Sequence, residues 1–168
     1  MKEKTLKQSA HLISILLNIG CMIFGVMSIL LFAGIMVLVC SQLFSPEMFQ
    51  EAWETAVKHG QPLSFGQCVF FFICCLGELI CIFLALYNAK RIFGCIGKGN
   101  SPFTAKTAIQ IRKIAFYMLL FAVFSVLSVF KMAFSSFFLC ALFALILFCI
   151  SLMFDYGCEL QQEVDETL

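Results

Sequence analysis

The sequence predicts an all-α fold, an integral membrane four-helix bundle with both termini cytoplasmic, and three observations carry that expectation. Hydrophobic residues make up 62% of the 168 positions and charged residues 12%, against about half and about a quarter in soluble domains. Lipid, not water, must therefore surround the helices. Four apolar runs reach or exceed the roughly 17 to 25 residues that cross a hydrocarbon core. Of the 11 Lys and Arg, all but Lys58 and Lys131 fall in two segments: Lys2, Lys4 and Lys7 at the start, and Lys90, Arg91, Lys98, Lys106, Arg112 and Lys113 between the second and third runs. Short cationic loops stay on the cytoplasmic side, and so the chain begins and ends inside.

The first span is expected at about 12–40, after a short polar start. A basic start before a hydrophobic stretch also fits a signal peptide, and Ile19-Gly20-Cys21 resembles the end of a lipoprotein cleavage box. Asn18 stands where such a box wants Leu, and apolar sequence continues well past Cys21, beyond the roughly 7 to 15 residues of a signal-peptide core. An uncleaved helix is the better expectation. Asn18 then needs a hydrogen-bond partner on a neighbouring helix.

An outer interfacial helix is expected at about 46–59. Ser45 is its N-cap, Pro46 its first residue, and Glu47 and Glu51 sit near the positive end of its dipole. Met48, Phe49, Ala52, Trp53, Ala56 and Val57 form one apolar stripe, with Trp53 at headgroup level. The same stripe would be the binding face for an extracellular ligand or peptide.

The second span, about 66–87, holds Glu78, the one charged residue expected at membrane depth. An ionised carboxylate there costs about 2.5 to 3.5 kcal/mol on insertion scales. It must be protonated or face the bundle interior, with Ser28, Ser125, Ser128 or a backbone carbonyl as hydrogen-bond partner. Gly77, Cys81, Ala85 and Ala89 make a small-residue face that lets another helix approach.

A cytoplasmic basic turn, 88–113, follows. Gly94, Gly97, Gly99 and Asn100 are expected to break the second helix, and Ser101-Pro102 or Thr104 to start the third. Its Gly-x-Gly neither follows a strand nor continues into a phosphate-loop pattern. A basic cluster beside a membrane meets anionic headgroups more often than nucleic acid, so no direct nucleic-acid contact is expected. The third span, about 114–130, ends at Lys131. The fourth, about 137–154, follows a tight outer turn, making the two antiparallel neighbours. The acidic cytoplasmic tail, 155–168, carries five acids and no base. Tyr156, Leu160 and Val164 fall on one helical edge, so the fourth helix should run on into the cytoplasm despite Gly157. Pairing of Glu159 or Glu163 with Arg91, Arg112 or Lys113 would then dock tail on turn, at about 0 to 1 kcal/mol per exposed pair.

Enzymatic chemistry is not expected. Seven of the ten cysteines lie in apolar runs, where Cys acts as a small hydrophobe, and no ligand spacing for a metal appears. His11 and His59 are placed on opposite faces, and no Ser/His/Asp or Cys/His set is brought together. No cofactor is implied.

Gly99-Asn100-Ser101-Pro102-Phe103, then Ile111-Arg112-Lys113-Ile114, and the ending Phe154-Asp155-Tyr156-Gly157-Cys158-Glu159-Leu160-Gln161-Gln162-Glu163 with Asp165-Glu166-Thr167-Leu168 resemble the bacterial membrane proteins of domain-of-unknown-function family 2975. The resemblance spans nearly the whole chain. It implies a four-helix integral membrane protein, often encoded beside a small helix-turn-helix regulator, and it supplies no catalytic residues.

The expected function is accordingly a non-enzymatic interaction or regulatory protein of the cell membrane. Its partners are the lipid bilayer and a cytoplasmic regulator protein met through the basic turn and acidic tail. Two alternatives use Glu78 instead: a small transporter or channel subunit, which would need a homo-oligomer to line a path, and self-protection against a membrane-active peptide.

Overall fold

The structure is a computed structural model that describes residues 2–47, 49–50, 54, 64–98, 104–128 and 134–166, with side chains for all of these except 2–7, 134–137, 161–162 and 164–166. It contains four long helices: α1 (Lys2–Phe44), α2 (Phe65–Gly97), α3 (Ala105–Ser128) and α4 (Phe134–Glu166). Each is long and apolar enough to cross a membrane, through Gln8–Phe44, Phe65–Gly97, Ala105–Ser128 and Phe138–Leu160.

The helices outrun the apolar spans expected from sequence because their polar flanks contain no residue that must stop them. The 43 residues of α1 extend roughly 65 Å at about 1.5 Å per residue, against a bilayer of about 40 to 45 Å with its headgroups. Gly94 does not break α2, which continues to Gly97. Both glycines instead admit α1: a Cβ on Gly97 would stand 3.4 Å from the His11 nitrogen, and one on Gly94 would stand 3.6 Å from Ser14 Oγ.

Local caps fix two helix starts. Ser64 and Gln67 form a reciprocal capping box, with Gln67 N–H donating to Ser64 Oγ (3.4 Å) and Ser64 N–H donating to Gln67 Oε1 (3.0 Å). Thr104 begins α3 by accepting from the Thr107 N–H at 3.2 Å. At the outer segment the backbone is helical at Pro46, Glu47, Phe49, Gln50 and Glu54. The Phe49 N–H donates to the Ser45 carbonyl at 3.0 Å, and its ring meets Phe65 edge-on at 5.3 Å. The remainder of the helix expected at 46–59, including Trp53, lies outside the described residues, as do the outer turn near Lys131 and the centre of the basic turn.

The helices pack in series, α1 on α2, α2 on α3 and α3 on α4; among the described residues α1 touches neither α3 nor α4. Every adjacent pair is antiparallel. His11 lies beside Gly97 and Gly25 beside Phe83, Gly77 beside Phe124, and Arg112 beside Asp155. The start of α1, the end of α2, the start of α3 and the end of α4 therefore share one end of the assembly, called here the basic end.

Small side chains carry these seams. Ala108, Ala115 and Ala122 on α3 and Ala144 and Ser151 on α4 are buried. In the register set by Arg112 and Asp155, Ala115 comes level with Ser151 and Ala122 with Ala144, so the backbones can approach at each level. Cys74, Cys81 and Ala85 do the same for central α2. Three polar side chains bond to their own helix: Ser151 Oγ to the Phe148 carbonyl (2.8 Å), Asn88 Nδ2 to the Leu84 carbonyl (2.8 Å) and Ser28 Oγ to the Phe24 carbonyl (2.7 Å). Leu, Ile, Val and Phe fill the outer faces, which suits a hydrocarbon surrounding.

Candidate functional site

A polar contact joins each pair of adjacent helices. Between α2 and α3, Ser128 Oγ donates to Glu78 Oε1 at 2.8 Å. Between α1 and α2, Lys90 Nζ donates to Asn18 Oδ1 at 2.6 Å. Between α3 and α4, the Arg112 guanidinium pairs with Asp155 at 2.5 Å.

Glu78 lies in the middle of α2. Its neighbours there, Cys74, Cys75, Gly77 and Cys81, offer no side-chain donor comparable to a hydroxyl or amine, so the Ser128 hydroxyl at the end of α3 is its hydrogen-bond donor among the described residues. A carboxylate has about four acceptor positions, so one hydroxyl leaves most of its capacity unused. Ser128 also accounts for part of the wall of a cavity of about 470 Å³ between the first turns of α2 and the end of α3, lined by Gly66, Gln67, Cys68, Phe70, Phe71, Leu127 and Ser128. Gln67, Phe71 and Glu78 lie at i, i+4 and i+11, on one face of α2.

The Asn18 and Lys90 pair is half-buried in the α1–α2 seam. The helix α1 presents His11, Ser14 and Asn18 to α2 in succession, opposite Gly97, Gly94 and Lys90. Twelve residues of α2 separate Lys90 from Glu78, roughly 18 Å at about 1.5 Å per residue, so the two intramembrane polar positions do not form one site.

At the basic end Arg112 pairs with Asp155, the first acid of the tail, and not with Glu159 one turn further on. Its guanidinium also lies 5.9 Å from the centre of the Phe148 ring, which holds it against α4. Arg91 is exposed and lies 6.0 Å from the Tyr87 ring centre on its own helix. Lys113, Glu159 and Glu163 are exposed.

Lys90 and Asp155 are the contributors that sequence reasoning did not single out. Lys90 counted only as an orienting charge, and its place on the α1-facing side of α2 follows from the register that the structure gives. Asp155 was available as the acid nearest the fourth span. All ten cysteines are free thiols, and among the described residues no three His, Cys, Asp or Glu side chains converge as metal ligands.

Comparison of the chain with protein-family models, with curated proteins and with solved structures gives no match in any of the three.

Proposed function

We propose that the chain is a non-enzymatic interaction or regulatory protein of a bacterial inner or plasma membrane, with its basic end and both termini in the cytoplasm and a soluble protein as its partner. One observation carries this reading. Helix α4 leaves the apolar span as a single continuous helix to Glu166, is held at its root by Arg112 and Asp155, and exposes Glu159 and Glu163 beyond that root. An acidic helix that presents exposed carboxylates suits recognition of a basic protein surface, where charge complementarity governs encounter and choice of partner. Exposed Arg91 and Lys113 add a cationic neighbour to the same end.

The sidedness rests on the concentration of Lys and Arg at that end. The tail motif supports a relationship to family 2975, and with it a small helix-turn-helix regulator as the partner held at the membrane.

The test compares the full chain, a chain ending at Tyr156 and Glu78→Gln, each purified from native membranes in mild detergent with quantitative identification of co-purifying proteins. A basic soluble protein recovered with the full chain and Glu78→Gln, and reduced at least tenfold by the truncation, supports the reading. Equal recovery with all three overturns it.

A further inference from the structure

We propose that Glu78, Ser128 and the cavity at the far end of α2 and α3 form a binding site for a lipophilic monocation, a quaternary nitrogen centre carrying an aromatic or alkyl body. This does not rest on the function proposed above, which concerns the opposite end of the molecule.

The charge comes first. Glu78 is an acidic side chain within a helix whose apolar stretch is long enough to cross the membrane, and the Ser128 Oγ that lies 2.8 Å from its Oε1 also lies 3.1 Å from the Ser125 carbonyl, so one hydroxyl proton is shared between two acceptors. A carboxylate held this way at membrane depth is costly, and a cation brought to it relieves that cost. Acidic side chains within spans generally mark ion or substrate positions for this reason.

The shape comes second. The cavity of about 470 Å³ lies within the range of about 300 to 1,000 Å³ typical of small-molecule sites. Phe70, Phe71 and Leu127 supply apolar wall, while Gln67 and Ser128 are the polar exceptions. Both Phe rings are exposed, at 52% and 40%, and aromatic faces attract quaternary nitrogen centres. Ser128 belongs both to the cavity wall and to the Glu78 hydrogen bond, so the acidic group is one hydrogen bond away from a wall residue. Seven residues of α2 separate Phe71 from Glu78, roughly 10 Å at about 1.5 Å per residue. An elongated ligand can therefore lay its body on the Phe rings and carry its charge toward Glu78. A small hydrated ion would leave the apolar walls uncovered.

Neither other candidate selects a ligand. The groove formed by Ile92, Phe93, Ile111, Ile114, Leu147 and Phe154 has no charged group to distinguish any occupant from a lipid chain. Lys90 is already engaged by Asn18.

The probe is N-methyl-4-phenylpyridinium, set against uncharged 4-phenylpyridine in mildly alkaline buffer. Both are titrated calorimetrically onto the full chain in nanodiscs of zwitterionic phosphatidylcholine, which offers the cation no anionic surface. Expected are saturable binding of the cation at one site per chain and at least a tenfold preference over the neutral compound. Glu78→Gln should weaken cation binding at least tenfold, and Ser128→Ala a few-fold. A Cβ on Gly66 meets nothing within 4 Å, so Gly66→Trp fills the cavity without backbone conflict and should abolish binding while Glu78 stays intact. This second variant decides the matter even if Glu78→Gln does not fold. Absence of saturable binding, equal binding of the two compounds, or undiminished binding in Gly66→Trp overturns the proposal.

Discussion

The ring of Phe124 lies against the α-carbon of Gly77, so that a Cβ at that position would stand 2.9 Å from its Cδ1, Cε1 and Cζ atoms. This contact sets how closely α2 and α3 approach near the middle of the assembly. Gly77→Ala gains up to about 1 kcal/mol of helix propensity but overpacks a rigid ring, at about 1 to 3 kcal/mol. Net destabilisation is expected, and Phe124→Leu should reverse it in the double variant. Unfolding of the purified protein by dodecyl sulfate in mixed micelles measures both; a Gly77→Ala protein more resistant than the parent would mean that the ring yields freely.

The Asn18 and Lys90 bond predicts a different pattern in the α1–α2 seam. Asn18→Leu leaves a half-buried ammonium without its acceptor and should cost about 1 to 3 kcal/mol. Adding Lys90→Met removes the stranded charge and should recover much of the loss. The same detergent titration reads it, and additive losses would show that the two side chains are energetically independent.

Arg112 and Asp155 should matter little to stability. Their side chains are 46% and 37% exposed, where ion pairs are worth about 0 to 1 kcal/mol. A double-mutant cycle with Arg112→Ala and Asp155→Ala should give a coupling below about 1 kcal/mol that fades in high salt. Arg112→Ala should cost more than Asp155→Ala, because it also removes the contact with the Phe148 ring.

Sidedness can be read in living cells. Alkaline phosphatase fused after Glu54 should be active, since that segment follows α1 at the far end, whereas a fusion after Leu168 should be inactive. Activity after Leu168 would place the acidic tail outside and remove the cytoplasmic partner with it.

The number and order of the helices were legible because hydrocarbon imposes a simple rule: about 20 apolar residues between polar flanks. The hydroxyl partner of Glu78 was narrowed to a few residues for a related reason, since a carboxylate in lipid must find a donor and few exist. The helix ends were less legible. The hydropathy pattern marks where lipid stops, whereas α2 runs on past Tyr87 to Gly97, where the Lys98 N–H closes on the Cys95 carbonyl. The pairing of Arg112 with Asp155 was not legible, since the sequence shows the small residues of α3 and α4 without showing which levels meet. Gly94 was misjudged as a helix breaker since absence of a side chain serves close approach as well as it serves a turn.

That, among the described residues, α1 meets α2 alone has a mechanical corollary. Helices coupled only to their nearest neighbours, as in a solenoid, share stability along a line, so peeling away the first helix sacrifices a single interface and leaves the other two untouched. The first helix is thus an outer leaf on one seam, whose departure would bare the flank of α2 that carries Phe83, Leu86, Lys90 and Gly94.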